Sequence, residues 1–172
     1  MAQRRLRVGL DANVVIAGIR LPRWPHEVMR AALAGYFDVA LPEQVIAEAR
    51  RHLETPAQAE VLNFFLASSG YEELPMPPAD LVRQQSDLVR SEKDVPIALT
   101  LLASDVDIFV TNDRDFTDPN AAAQRFRDRV RVMLPAVFLR EVMGWRAEDL
   151  EAIRNRTWRD IAVEEPSEES DG

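Results

Sequence analysis

The chain has 172 residues, the length of one domain that can bury a hydrophobic core without disulfides or metal staples. Its 47% hydrophobic and 29% charged residues are typical of globular proteins and argue against a wholly disordered, collagen-like or membrane-spanning chain. Cysteine is absent, which excludes disulfide scaffolds, cysteine nucleophiles, zinc ribbons and iron–sulfur clusters, and two histidines do not make a His-rich zinc site. A hard-metal site built from carboxylates remains open.

The net charge of −8 comes mostly from the C-terminus. Residues 160–172 hold six acids and no base, so residues 1–159 carry 23 acids against 21 bases. Of these bases 20 are arginines and one is Lys93, which excludes a P-loop and favours guanidinium contacts to phosphate. No apolar run reaches the roughly 18 residues of a membrane span, and the basic start lacks a convincing signal-peptide cleavage site. We therefore predict a cytoplasmic protein with no membrane partner.

Short apolar runs alternate with helical patterns along the chain. The first run ends at Asp11, as a buried strand that ends at a polar residue does, and a loop with Pro22 and Pro25 is expected to follow. A second loop is expected around the prolines of residues 74–78. The predicted strands are residues 7–10, 37–41, 108–110 and 130–134. The predicted helices are residues 26–33, 42–53, 56–67, 81–90, 95–102, 120–126 and 135–143, with one more amphipathic pattern from 145 to 161. This alternation predicts an α/β fold with a parallel sheet and helices on both faces.

Acidic residues collect where these strands end. Asp11 follows the first strand, Asp113 and Asp115 follow the strand at 108–110, Asp94 precedes the helix that leads into that strand, and Glu48 lies on the helix after the second strand. Ligands of doubly wound sheets bind at the carboxyl ends of the strands. Carboxylates that converge there would repel one another unless a divalent cation lay between them. Oxygen ligands alone favour Mg²⁺ or Mn²⁺.

Each acid also has a purely structural explanation. Asp94 suits the N-cap of the helix at Val95, the other aspartates suit turns, and Glu48 suits a solvated helix face. Glu43 is an alternative to Glu48, but it lies in the first helical turn, where the helix dipole favours any acid. The combination and order of the acids favour a shared site over these separate explanations.

Four segments carry a resemblance to a known family. Asp11–Val15 reads D-A-N-V-V, residues 42–53 form a helix with Glu48, Asp94 precedes the apolar Ile97–Leu99, and Thr111–Phe116 reads T-N-D-R-D-F. In order and spacing these segments resemble the PIN-domain nucleases, especially the toxin components of bacterial type II toxin–antitoxin pairs. The resemblance spans residues 6–144 and implies a three-layer fold with four or five parallel strands.

The resemblance also implies an activity and its residues. It implies metal-dependent RNA hydrolysis that leaves 5′-phosphate and 3′-hydroxyl ends, with Mg²⁺ or Mn²⁺ as cofactor. Asp11, Glu48, Asp94 and Asp113 would form the acidic core and bind the metal, and Asp115 would be a more variable fifth metal ligand. Asn13 and Thr111 would orient these carboxylates through hydrogen bonds. The implied partners are an RNA substrate, an antitoxin protein and a second copy of the chain in a homodimer.

The remaining expectations concern RNA contacts and organisation. Arg20 and Arg23, in the predicted loop after Asp11, and secondarily Arg114, are candidate phosphate contacts, with solvated loop arginines as the alternative. His26 and His52 are expected to be surface helix residues rather than catalysts. We expect a PIN-like domain over residues 1–144, a helical extension over 145–162 and a disordered acidic tail over 163–172. Residues 55–90 form a candidate dimerisation or substrate arm.

Two other functions compete with the nuclease. A PIN-like fold without catalysis could bind RNA or proteins, with Trp145 and Trp158 as anchors on the C-terminal extension. Phosphoryl-transfer enzymes of the haloacid-dehalogenase or receiver type also place an aspartate at a strand end. The segment Asp11–Asn13 lacks their second aspartate, and no lysine follows a suitable strand. The sequence therefore favours the nuclease.

Overall fold

The computed structural model of the chain describes residues 4–118 and 121–161. The predicted acidic tail over 163–172, and the last residue of the predicted extension, lie outside the described residues.

The centre of the molecule is a sheet of parallel strands in the order β3-β2-β1-β4-β5. Its strands are β1 (Arg7–Leu10), β2 (Asp38–Pro42), β3 (Glu72–Leu74), β4 (Ile108–Val110) and β5 (Arg131–Met133). In the central strand, Gly9 pairs with Ala40 on one side and with Phe109 on the other. Strands β1 and β4 are almost wholly apolar and buried, which is typical of parallel sheets covered on both faces. The predicted three-layer α/β fold with a parallel sheet flanked by helices is confirmed.

Helices follow each strand. They are α1 (Ala12–Arg20), α2 (Trp24–Leu33), α3 (Glu43–His52), α4 (Pro56–Ser68), α5 (Ala79–Gln84), α6 (Val95–Ala103), α7 (Arg114–Thr117), α8 (Ala121–Arg127), α9 (Pro135–Glu141), α10 (Ala147–Ile153) and α11 (Trp158–Ile161). Thr55 caps α4 as its sequence indicates, because its hydroxyl accepts a hydrogen bond from the Gln58 N–H at 3.2 Å. Gly35 ends the α2 segment with a φ of +80°, a conformation that glycine adopts without steric cost.

The loop predicted after Asp11 is wrong, because α1 begins directly there. Asp11 accepts a hydrogen bond from the Ala12 N–H and so serves as the N-cap of α1. Buried residues at 14, 15, 18 and 19 then form one helical face, which packs against α2 and α3. At Gly18 an added Cβ would lie 2.6 Å from the Met29 sulfur and 3.0 Å from the Pro25 carbonyl oxygen, so α1 and α2 approach as closely as glycine allows. Arg20 is therefore the last residue of a packed helix.

Two further elements differ from the predictions. Residues 72–74 form β3 at the edge of the sheet, where only a loop was expected, because pairing with β2 fixes a segment whose first two residues are exposed glutamates. The helix predicted over 81–90 is α5, which begins earlier and ends at Gln84. Leu88 and Val89 are buried in the core although they lie outside any helix. Leu88 and Val89 are therefore apolar because they are buried in the core, and not because they belong to a helix.

The single amphipathic pattern predicted from 145 to 161 is two short helices, α10 and α11, separated by residues 154–157. Leu150 and Ile153 are buried, whereas the exposed fraction of Trp158 is 46%. The break brings Arg156 beneath α2, where its guanidinium donates to Glu27 Oε1 and to the Pro22 carbonyl, both at 2.6 Å. Within residues 4–118 and 121–161, no helix is both long and apolar enough to cross a bilayer.

Candidate functional site

The site lies where the strand order reverses. Strands β1 and β4 are neighbours at the centre of the sheet, yet the chain leaves β1 toward β2 and leaves β4 toward β5. Ligands of open α/β sheets bind at such a switch point, outside the carboxyl ends of the strands. Asp11 follows β1, and Thr111 and Asp113 follow β4. The Asp11 N–H donates to the Val110 carbonyl at 3.0 Å, which ties the two strand ends together.

Asp11 is buried and held by hydrogen bonds on both carboxylate oxygens. Its Oδ1 accepts from the Ala12 N–H at 2.8 Å. Its Oδ2 accepts from the Thr111 hydroxyl at 2.7 Å and from the Asn13 amide at 3.2 Å. Asn13 Oδ1 in turn accepts from the Asn112 N–H at 3.1 Å. The two residues predicted to orient carboxylates thus contact Asp11 directly and fix its orientation.

Thr111 also connects Asp11 to Asp113. Its hydroxyl oxygen accepts a hydrogen bond from the Asp113 N–H at 2.9 Å while its proton is donated to Asp11. Asp113 Oδ1 accepts from the Asp115 N–H at 2.9 Å, so Asp113 caps the short helix α7. The backbone after β4 forms a tight turn, so the carboxylates of Asp113 and Asp115 lie close together at the start of α7.

Asp94 joins this turn from a different part of the chain. It ends a 3₁₀ turn over Glu92–Asp94, immediately before α6. Carboxylate oxygens of Asp94, Asp113 and Asp115 all lie within 4.8 Å of one another. The capping role that sequence suggests for Asp94 is not observed, because its side chain makes no capping hydrogen bond. Its Oδ2 is instead buried with no hydrogen-bond partner.

The pKa values of two of these carboxyl groups are strongly raised. Burial is the main cause of a pKa of about 6 for Asp11, to which the charges of Asp113 and Glu48 add, while hydrogen bonds from Thr111 and Ala12 act in the opposite direction. Burial also raises the pKa of Asp94 to about 6, with further contributions from Asp113, Asp11 and Asp115 and an opposing effect of Lys93. Strongly shifted pKa values are common at functional sites, where burial and neighbouring like charges are part of the arrangement that binds a ligand or performs a reaction.

A cleft of about 820 Å³ opens beside these acids and contains Asp11, Glu48, Asp94 and Asp113 on its walls. Glu48 is half-buried there, whereas Glu43 is exposed and does not line the cleft. Asp115 is not among the residues that line the cleft, and its Oδ1 is 3.8 Å from the Arg90 Nε. Asp11 and Glu48 line the cleft but do not belong to the close group of three.

Sequence reasoning missed several polar residues of the cleft. Gln44, Arg51 and His52 line it together with Glu48, and their spacing places all four on one face of α3. That helical spacing was a usable signal. Lys93, directly before Asp94, also lines the cleft. His52 thus belongs to the cleft wall, although the sequence favoured a surface residue without a role.

The three arginines predicted to contact phosphate lie in different parts of the structure. Arg20 lines the cleft, where its guanidinium donates to the His52 carbonyl at 2.5 Å and to Glu54 at 3.2 Å. Arg23 does not line it and donates instead to the Arg156 carbonyl at 3.2 Å. Arg114 is exposed on α7, also away from the cleft walls. The structure therefore brings only Arg20 of the three to the acids.

The donor set suits a hard divalent cation. The ligand atoms are carboxylate oxygens, and a spacing up to 4.8 Å is close to the roughly 4–5 Å between opposite oxygen ligands of one such ion. The Asp94 oxygen has no other partner, and a buried acceptor of this kind is costly unless something satisfies it. Asp94, Asp113 and Asp115 would hold the ion, and Asp11 and Glu48 line the adjoining cleft.

The chain matches no family model and no curated protein. Among solved structures it is similar to the crystal structure of PAE2754 from Pyrobaculum aerophilum, with a TM-score of 0.52 and 16% sequence identity. The similarity covers 81% of this chain and 97% of that chain. At this identity the likeness shows a shared α/β fold and leaves the chemistry to be argued from the site.

Proposed function

We propose that this protein is a divalent-cation-dependent endoribonuclease that hydrolyses RNA phosphodiester bonds. The observation that carries the proposal is the group of Asp94, Asp113 and Asp115, whose carboxylate oxygens lie within 4.8 Å of one another beside the buried Asp11. Clustered carboxylates at a strand switch point are suited to Mg²⁺ or Mn²⁺. Such an ion, when bound, activates water and neutralises charge on a phosphoryl transition state.

The other residues of the cleft suit a polyanionic substrate. Arg20, Arg51, His52 and Lys93 line the cleft around the acids. The charges of Arg20, Arg51 and Lys93 attract phosphates, while the acids repel a phosphate that arrives without a cation. Thr111 and Asn13 hold the Asp11 carboxylate in one orientation, so no reorganisation is needed when substrate binds.

The assay is cleavage of a mixed pool of structured and single-stranded RNAs with Mg²⁺ or Mn²⁺, and with EDTA as control. Wild-type protein should cut in a metal-dependent way, and Asp11→Asn and Asp113→Asn should fall to background while staying folded. Glu48→Gln should lose most activity, whereas Glu43→Gln, a matched change on the same helix, should keep it. Full activity of Asp11→Asn would contradict the proposed site. A folded, metal-binding protein that cuts no RNA would favour the binding module.

We further propose that the nuclease is the toxin of a toxin–antitoxin pair, which rests on the family resemblance. Expression of the wild-type chain should arrest growth, expression of Asp11→Asn should not, and a small protein encoded by the neighbouring gene should relieve the arrest. Unimpaired growth with active nuclease would indicate a housekeeping enzyme instead.

A further inference from the structure

A second cavity of about 340 Å³ adjoins the acidic cleft on the far side of α1. Ala17 and Leu21 line both cavities, so the C-terminal turn of α1 is their common wall. Leu21 is exposed, with 38% of its surface accessible. A linear polymer that lies in the cleft can therefore continue past Leu21 into this cavity.

The cavity is tied to the acidic site through the backbone. Asn112 lines it, and the Asn112 N–H donates to Asn13 Oδ1, whose amide donates to Asp11. Asn112 is also the residue between Thr111 and Asp113. A group bound in the cavity thus lies beside the same turn that holds the proposed catalytic carboxylates.

The chemistry of the lining differs from that of the cleft. Among the residues that the structure describes, no acid lines this cavity, whereas Arg23, Arg154, Asn112, Asn155 and Trp24 do. Guanidinium groups bind phosphate, amides read the edges of bases, and an aromatic ring gives a surface for stacking. This combination fits a nucleotide better than a purely apolar or purely anionic ligand.

Residues 145–161, here called the C-terminal segment, hold the side chains of Trp24 and Arg23 in place. The Trp24 indole N–H donates to the Leu150 carbonyl at 2.9 Å, and Arg23 Nε donates to the Arg156 carbonyl at 3.2 Å. Arg154 makes an exposed pair with Glu151, at 3.8 Å. The segment therefore builds the cavity with its own residues and also orients residues from the start of α2.

We propose that this cavity binds a nucleotide of single-stranded RNA adjacent to the bond that is cleaved, and so sets the sequence preference of cleavage. The proposal rests on the proposed ribonuclease function. Single-stranded RNA is the expected substrate, because turning a paired base out of an A-form helix costs unpairing and unstacking energy that a single strand does not require. The C-terminal segment is then part of the substrate-binding surface.

The test compares the double variant Arg154→Ala/Asn155→Ala with Arg140→Ala, which removes an exposed arginine that lines neither cavity. All are made in the Asp11→Asn background, and binding of fluorescein-labelled oligoadenylate and oligouridylate is measured by anisotropy, with duplex RNA as a further probe. The double variant should bind single strands about fivefold or more weakly, and Arg140→Ala should differ little from its parent. Equal thermal melting of the variants checks that they are folded.

Cleavage by the same substitutions in the active chain separates the two proposals. Metal-dependent cutting should persist, and end-sequencing of the products should show a loss of base preference next to the cut. If wild-type protein cuts RNA but the double variant keeps full affinity and the same preference, the nucleotide site is overturned and the nuclease stands. If nothing is cut but single-strand binding weakens in the double variant, the nuclease and the role of the cavity in cleavage preference are overturned, and only nucleotide binding in the cavity stands.

Discussion

Asp94 is the residue whose surroundings are least favourable without a cation. Its Oδ2 is buried and unpartnered, and the charges of Asp113, Asp11 and Asp115 all disfavour its ionised form. The local sequence around Asp94 is typical of a helix N-cap. The fold instead places it against other acids, which is expected of a site selected for binding and not for stability.

Asp94→Asn should stabilise the cation-free protein at pH 7.5. It removes one of the clustered charges. The raised pKa of about 6 corresponds to about 3 kcal/mol without solvent screening, and screening in the open cleft leaves roughly 1–2 kcal/mol in the free energy of unfolding. Thermal and urea unfolding would measure the gain, and the exposed Asp80→Asn is the control. The variant should also lose the stabilisation that Mn²⁺ confers on the wild type. Destabilisation of Asp94→Asn with intact Mn²⁺ binding would refute the assigned role.

The raised pKa values of Asp11 and Asp94 also predict how stability depends on pH. Both folded-state pKa values, about 6, lie above the ordinary aspartate value of 3.8 that applies in the unfolded chain. The folded protein therefore binds more protons than the unfolded chain between these limits, and the stability contributed by these groups is complete below pH 3.8 and is lost as pH rises through 6. Their charge repulsion should be greatest at neutral pH.

Mn²⁺ should reverse this trend, because it binds the ionised carboxylates. The rise in melting temperature on adding Mn²⁺ should be large at pH 7.5 and small at pH 5, as measured by differential scanning fluorimetry. A Mn²⁺ effect that is equal at both pH values would mean that the cation binds elsewhere.

At the scale of elements, the C-terminal segment is joined to the start of α2 by a nearly buried ion pair. Glu27 is 7% exposed, and its Oε1 accepts from Arg156 at 2.6 Å and from the exposed Arg30 at 3.1 Å. The Trp158 indole donates to the Arg20 carbonyl at 2.8 Å, and its ring packs edge-on against His26. Hydrogen bonds and one charge pair therefore hold this segment, together with the buried Leu150 and Ile153.

Arg156→Ala should therefore destabilise the protein by roughly 1.5–3 kcal/mol, because it removes a charged hydrogen bond and leaves Glu27 with one exposed partner. Arg154→Ala, two residues away, should change the free energy of unfolding by no more than about 0.5 kcal/mol. Urea unfolding followed by circular dichroism measures both. Similar stability of the two variants would show that the segment is not held by this pair.

At the scale of the whole molecule, basic and acidic groups share one surface. Arg51, Lys93 and Arg20 line the same cleft as the acids. This arrangement predicts an electrostatic contribution to RNA binding despite the net charge of −8.

Arg51→Ala should reduce the salt dependence of RNA binding. For single strands, loss of one phosphate contact lowers the slope of log affinity against log salt by about 0.7. Titrations of the Asp11→Asn protein at several salt concentrations measure this slope. Arg140→Ala is the matched control and should leave it unchanged. An unaltered slope for Arg51→Ala would place the RNA backbone outside the cleft.

Much of the fold could be predicted, because several segments carry strong local signals. The apolar runs of β1 and β4 and the Thr55 cap of α4 are such signals. Helix α1 was missed because Val14, Val15 and Ile16 are β-branched and favour strands locally, and packing against α2 and α3 overrides that preference. Strand β3 was missed because its Glu-Glu-Leu sequence has no strand signal without the partner strand.

The sequence by itself determined the alternation of strands and helices, and the acids at the strand ends, because both depend on residues that are neighbours in the chain. Only the tertiary structure decided which acids meet. Asp94, Asp113 and Asp115 form a close group, while Asp11 and Glu48 line the same cleft outside that group. Likewise, Arg23 is held by a carbonyl 133 positions away and so lines the second cavity and not the cleft. Such distances depend on strand order and helix packing, which no local pattern encodes.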